Sequence, residues 1–480
     1  METKLIAQAL LPSELPADPV AWCRAFADRP GVALFDSALK DQRLGRYSFL
    51  GIDPFARFEA DRAGVRLNGA DLAADPFDAV GELCARYRVE PAPDLPPFQT
   101  GVAGYFGYGL RHHVERVPMH ARADIAWPDL ILGLYDLVLA VDHVEGRAWL
   151  LASGYPETTP QARRERAEAR IGWARERLSR AAQAAPALSW TIAAKPDLRQ
   201  AEFEHAVRRT IDYIEAGDIY QANITQRFRA RLPNGFDRLS LYQALRMRNP
   251  ATFGAYLDFG TTGILSSSPE RFLKLADGRI ETRPIKGTRP RGRGAAEDQA
   301  LAAELLGSAK DRAENLMIVD LLRNDISRVC KIGSVKVPTL FGLESYATVH
   351  HLVSVVAGEL AAGRSAVDLL RACFPGGSVT GAPKIRAMEI IAELEPTSRG
   401  PYCGSIGYLS ADGGMDSNIV IRTYCIHGQD LTFQVGGGIV ADSDPHAEYE
   451  ESLAKAKALI EVLAHGATDG GARPAQGSAA

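Results

Sequence analysis

The C-terminal half of the chain is built from short apolar runs broken by glycine, GAYLDFG, GILSSSP, CGSIGYLSADG and LTFQVGGGIV, set between helical patterns. Runs of this length closed by turn residues read as strands. Phe203 to Ala216 is amphipathic and stops at Gly217, and Ala447 to His465 repeats apolar residues at Tyr449, Leu453, Ala456, Ile460 and Leu463 before Gly466. Together these patterns predict an α+β fold with much antiparallel sheet.

Residues 1–160 are strand-rich. RYSFLGIDPFARFEA and VRLNGADLAADP give strand, proline turn and strand, while LILGLYDLVLAVD, the turn Glu145-Gly146 and RAWLLASG give a buried hairpin. The glycines of GVAGYFGYGL sit among aromatics, which points to close backbone packing over a phosphate loop. Residues 161–199 comprise a solvated Arg/Glu helix and an Ala/Pro linker, AAQAAPALSW; residues 200–465 form the second region, and 466–480 a small, polar, disordered tail.

Composition narrows the function. The 480 residues are 46% hydrophobic and 24% charged, which excludes collagen-like, disordered and coiled-coil chains. Lys+Arg 55 against Asp+Glu 59, a net charge of -4, lacks the basic signature of a dedicated nucleic-acid binder. The six cysteines stand singly with no C-x-x-C pair, so reduced thiols are expected. The start has no basic region before its apolar run, and no apolar stretch reaches the ~18 residues of a membrane span. A soluble cytoplasmic protein with neither a membrane nor a nucleic-acid partner is expected.

Chemistry-bearing residues come in pairs and short motifs. Asp311 and Glu314 stand three apart at the start of a helix continuing as NLMIVDLLRND, and Glu448 and Glu451 repeat that spacing at the start of the last helix. Such acids favour a helix N-terminus by themselves; brought together, the two pairs would call for a hard cation such as magnesium. Lys455 is spaced for an ion pair with Glu451. RPIKGTRPRG holds Lys286 in a rigid cationic turn, as a surface loop or as a lysine whose lowered pKa would make it a nucleophile. Glu270 in SSSPERF is an acid/base or the partner of Arg271. FPGGSVTGAPK fails as a P-loop because Pro383 precedes Lys384 with no Gly-Lys-Ser/Thr. Gly436 to Val440 offers amides to an anion or packs as a strand end.

These motifs in this order, with TVHHLVS, PYCGSIGY, VIRT, VGGGIVADSDP and EYEESLAKA, resemble the chorismate-utilising enzymes, and GRYSFLGIDP extends the resemblance over most of the chain. The resemblance implies one large α+β unit of two interleaved subdomains, with layered antiparallel sheets and outer helices. It implies Mg2+ held directly by Glu314 and Glu451 and through water by Asp311 and Glu448, gripping the ring carboxylate of chorismate. Tyr402, Arg422 and the amides of Gly436, Gly437 and Gly438 would take the enolpyruvyl carboxylate, with Gln221, Thr288, Thr380 and Lys455 also binding substrate.

Within the family, anthranilate synthases usually carry alanine where this chain has Lys286, and the branch that aminates chorismate at C4, the aminodeoxychorismate synthases, carries lysine. The resemblance implies that Lys286 attacks C2 with loss of the C4 hydroxyl, that ammonia then adds at C4, that Glu270 is the acid/base, and that His351 lines the site. Gln221 stands where water-using relatives have a lysine base. No cysteine sits in a Gly-x-Cys-x-Gly elbow, so ammonia is expected from a separate glutamine amidotransferase subunit in a heterodimer. Ser37, Arg46, Tyr47, Ser48 and Phe253 match a region where relatives hold tryptophan, although Thr252 replaces a common proline. The expected activity is C4 amination toward 4-aminobenzoate and folate. The rivals are an anthranilate synthase component and a non-catalytic tryptophan-binding relative.

Overall fold

Alternation of side chains along the strands sorts the chain into two antiparallel sheets of 12 strands each. The computed structural model describes residues 4–40, 42, 44–119, 124–181, 189–346 and 349–465. In the first sheet Leu34, Leu50, Leu139 and Leu150 face helices, whereas Ala33, Phe49, Val138, Ala140 and Leu151 face the second sheet. The helices on that outer face include Pro160–Arg180, Arg238–Arg248 and Pro445–His465. The second sheet is covered by Pro76–Arg86, Ala309–Ser327 and Ala366–Cys373. Between the sheets Phe98 stacks on Tyr408 with centroids 4.5 Å apart, beside Tyr105, Ile131, Leu257 and Ile406.

The expected layers and interleaving are both present. Val32–Asp36 pairs with Phe253–Phe259, Gly254 lying opposite Asp36, and Gly101–Phe106 pairs with Ser405–Ser410. Residues 1–160 and 200–465 therefore contribute strands to both sheets. A Cβ on Gly104 would overlap the Ile131 carbonyl, so GVAGYFGYGL is a site of close backbone packing.

Two expectations change in detail. LILGLYDLVLAVD is two strands in different sheets: Leu130–Tyr135 pairs with Gly101–Phe106, and only Leu137–Asp142 forms the hairpin with Arg147–Ala152. The crossover is Asp136, fully buried, whose carboxylate accepts from Arg166 Nε at 2.9 Å and Arg170 Nη2 at 3.2 Å. A run buried on both faces carries no alternation to mark such a break. Residues 189–199 of the expected linker are tied to the fold by hydrogen bonds, Trp190 Nε1 donating to Val462 O at 3.1 Å and Lys195–Pro196 pairing with Arg229 and Phe228. Residues 182–188 of that segment and the tail 466–480 lie outside the described residues. Among the described residues no helix is long and apolar enough to cross a membrane.

Asp136→Ala leaves two guanidinium groups short of a buried anion, though Arg170 keeps Asp53 and the Ile52 carbonyl. The expected cost is about 3 kcal/mol, read from urea denaturation; a loss under about 1 kcal/mol would show the crossover does not depend on this carboxylate.

Candidate active site

Helix starts build one wall of the site. Ser308 Oγ accepts from the Asp311 amide at 3.2 Å and starts Ala309–Ser327, and Asp444 Oδ1 accepts from the Ala447 amide at 2.8 Å at the start of Pro445–His465. Both pairs of acids, Asp311 with Glu314 and Glu448 with Glu451, line a single cavity of about 770 Å³. Lys286, Arg289, Lys310, Arg422 and Lys455 line the same space, as do Glu270, Thr288, His351, Tyr402 and Gly436 to Gly438.

The carboxylates have protein partners. Glu314 Oε1 accepts from Lys286 Nζ at 2.6 Å and Gln221 Nε2 at 2.9 Å, and Asp311 Oδ2 from Arg289 at 3.2 Å. Glu451 pairs with Lys455 at 2.6 Å, the expected i,i+4 pair, while Lys455 Nζ also donates to Gly436 O at 2.8 Å. Glu448 accepts from Ser443 at 2.8 Å; burial and the neighbouring Glu451 charge raise its pKa. Burial acts against Glu451 too, but Lys455, Lys310 and Lys286 hold its pKa below the usual value. Among the described residues no three His, Cys, Asp or Glu side chains converge closely enough to hold a metal as they stand. The donor chemistry nevertheless suits a hard divalent cation: all-oxygen ligands whose mutual repulsion a cation would relieve.

Lys286 reaches the cavity through an irregularity. Ile285–Pro290 pairs with Val349–Glu359, but the register shifts between Ile285 and Thr288, and Gly287 there has φ +87°. The same cavity is lined by Glu270, 6% exposed, whose pKa burial raises to about 7 despite hydrogen bonds from Ser378 and the Ile285 amide and the nearby charge of Lys286. His351 Nδ1 pairs with Thr288 Oγ1 at 2.9 Å; burial, with Arg422 and His350, lowers its pKa to about 4, so the ring is neutral at pH 7.

Arg422 stands at φ +53° and has no carboxylate partner among the described residues. Burial lowers its pKa, with Tyr402 acting against the shift. A strained backbone carrying an unpaired guanidinium into a cavity fits an anion supplied from outside. The amides nearby belong to Gly436–Gly438, where a Cβ on Gly436 would overlap the Ile224 carbonyl and one on Gly438 the Gln221 amide.

Two expected residues are not on the cavity wall. Thr380 is fully buried with Oγ1 on Gly376 O at 2.7 Å, and its neighbours Ser378 and Val379 line the space. Gln221 is fully buried behind Glu314. Ser37, Tyr47, Ser48 and Phe253 gather apart from the acids: Ser37 Oγ donates to Tyr47 O at 2.6 Å and Ser48 Oγ meets His143 at 2.7 Å. Arg46 lies over the Tyr47 ring, 5.0 Å from its centroid, and pairs with Asp142 and Glu145. Sequence reading missed Arg289 and Lys310. A lysine in a first helical turn opposes the helix dipole, and that was a signal for Lys310.

Residues 32–461 match the chorismate binding enzyme family. The chain is 44% identical over 442 residues to aminodeoxychorismate synthase component 1 of Klebsiella aerogenes, covering 91% of this chain and 94% of that one. It is 40% identical over 448 residues to anthranilate synthase component 1 of Thermus thermophilus, covering 93% and 95%. The crystal structure of anthranilate synthase component I from Streptococcus pneumoniae superposes with a TM-score of 0.77 at 34% identity, covering 88% of this chain and 95% of that one.

Arg422→Gln removes a charge that no carboxylate among the described residues neutralises. Fold stability is expected to hold within about 1 kcal/mol while affinity for chorismate, by calorimetry, falls at least about tenfold. A clear loss of stability with affinity intact would assign the guanidinium a structural role.

Proposed function

The chain belongs to the chorismate binding enzyme family, and from that we propose that it aminates chorismate at C4, the activity of an aminodeoxychorismate synthase component 1. The observation that carries this reading is Lys286, lining the acid-lined cavity together with a buried glutamic acid whose pKa is near neutrality. Anthranilate synthases usually have alanine at that position, which favours the C4 branch over its sister.

In this reading Arg422, Tyr402 and the Gly436–Gly438 amides bind the enolpyruvyl carboxylate, and Lys455 adds charge beside them. Magnesium held by Glu314 and Glu451, with Asp311 and Glu448 through water, would supply positive charge to the ring carboxylate. Lys286, once its ammonium has given a proton to solvent, forms a bond from Nζ to C2; the ring double bonds shift, the C4–O bond breaks, and Glu270 protonates the departing hydroxyl to water. Ammonia then bonds to C4, the double bonds shift back, and the C2–N bond breaks to return the lysine. Glu270, now a carboxylate, takes the proton that the incoming amine sheds. His351, neutral and held by Thr288, contributes a hydrogen-bonding nitrogen without adding charge. The product, 4-amino-4-deoxychorismate, leads to 4-aminobenzoate and folate.

Ammonia comes from a second chain in this proposal. A glutaminase needs a reactive thiolate, whereas burial raises the pKa of all six thiols, Cys84 and Cys403 to about 12. The relatives' designation as component 1 supports a separate amidotransferase subunit. Tryptophan binding is not part of the proposal, since the Ser37 and Ser48 hydroxyls already have protein partners.

Purified protein given chorismate, magnesium and ammonium is expected to form 4-amino-4-deoxychorismate by mass and absorbance, and Lys286→Ala to abolish that product. Anthranilate fluorescence with pyruvate release would overturn the assignment. With free ammonia held constant, the kcat/KM profile for chorismate is expected to bend downward near pH 7, where Glu270, which must begin protonated, loses its proton. Glu270→Gln lowers kcat by about 10²- to 10⁴-fold and removes that bend; an unchanged bend would move the acid role elsewhere.

A further inference from the structure

We propose that Arg399, a residue with no place on the cavity wall, is the positioning residue of the substrate-carboxylate grip, holding it through three separate backbone segments; this rests on the reading of the cavity as a chorismate site. Its side chain is 0% exposed. Nε and Nη2 donate to Glu395 at 2.9 and 2.7 Å, Nη1 to Val379 O at 2.9 Å, and Nη2 also to Asn223 O at 2.8 Å. The Arg399 carbonyl accepts from the Tyr402 amide and from Gln434 Nε2, both at 3.2 Å. Glu395 closes the arrangement by accepting from Thr225 N at 3.1 Å and Thr225 Oγ1 at 2.8 Å.

Four of the residues held through Arg399 face the ligand space. Asn223, Val379, Tyr402 and Gln434 all line the cavity, although they lie on a strand, a loop, a turn and a second strand. The guanidinium plane is further held over the Tyr108 ring, 4.8 Å from its centroid. A buried ion pair adds little net stability over apolar packing of the same volume. What a planar fork adds is direction: acceptors on several segments are held at fixed angles, which a lysine cannot reproduce. The consequence falls on substrate binding, because Tyr402 and the adjoining segments touch a carboxylate whose charge is the same before and during reaction. Loosening them weakens ground and transition states alike, which raises KM and spares kcat.

The test uses Arg399→Lys, which keeps the charge and loses the fork, and Thr225→Val, which keeps volume and deletes one hydrogen bond to Glu395. Melting curves are recorded with KM and kcat for chorismate in the ammonium assay. Arg399→Lys is expected to raise KM about tenfold or more with kcat within about threefold, and Thr225→Val to raise KM about threefold with its melting curve little changed. If Arg399→Lys does not fold, Thr225→Val decides alone. Unchanged KM in the folded variants, or a fall in kcat without a rise in KM, overturns the proposal. The comparison needs only that wild type consume chorismate: a wild type yielding anthranilate would overturn the C4 assignment and leave the KM test of Arg399 intact.

Discussion

The strand pair Gln221–Arg231 and Asp430–Ile439 is the constraint on which the cavity depends. Ten consecutive residues from Ala222 to Arg231 are in register with Ile439 back to Asp430. The ladder seats three successive glycines beside residues some two hundred positions earlier, and Gly436 has to lack a side chain because the neighbouring carbonyl occupies that volume. The free edge of Gln221 and Ala222 takes Ala382 and Gly381 as a short extra strand, which draws the loop through Ser378 and Val379 to the cavity. Backbone pairing thus sets the floor, and the helix starts supply the charge.

That charge is concentrated against an otherwise balanced background. A net charge of -4 over 480 residues conceals one space lined by several acids and several cations. Most of these groups are matched within the protein, which keeps the cost of burying them low. Arg422, Glu270 and Glu448 are among the departures, the first a cation without a carboxylate among the described residues and the other two acids whose ionisation burial opposes. Groups left in such states are where a ligand's own charge and protons find their counterparts.

The fold class and the chemical groups were legible in the sequence for local reasons. Carboxylates three apart at a helix start share a face whatever the tertiary context, so Asp311, Glu314, Glu448 and Glu451 could be picked out. That the two helices converge is a long-range fact which spacing cannot carry. Thr380 lies off the cavity wall, and no local signal marks this: residues 374–384 run through one short 3-10 turn and a two-residue strand, too brief for a periodicity to say which side chain turns inward. Lys286 was identifiable as a cationic turn residue, but its aim into the cavity depends on a register shift against Val349–Glu359. The break at Asp136 was hidden inside an apolar run, and its meaning came only from two arginines on a helix thirty residues later.

Sharing of both sheets between the two halves also dictates the order of events during synthesis. Gly101–Phe106 has Ser405–Ser410 as one of its neighbours, and roughly three hundred residues separate them. At ribosomal speeds of about 5–20 residues per second, roughly 15–60 s pass before that neighbour exists. For that interval one edge of an apolar strand is open, in a chain whose pairings are dominated by distant partners and therefore close slowly. Through that interval the nascent N-terminal half carries an unpaired strand edge, the kind of exposure that chaperones exist to cover.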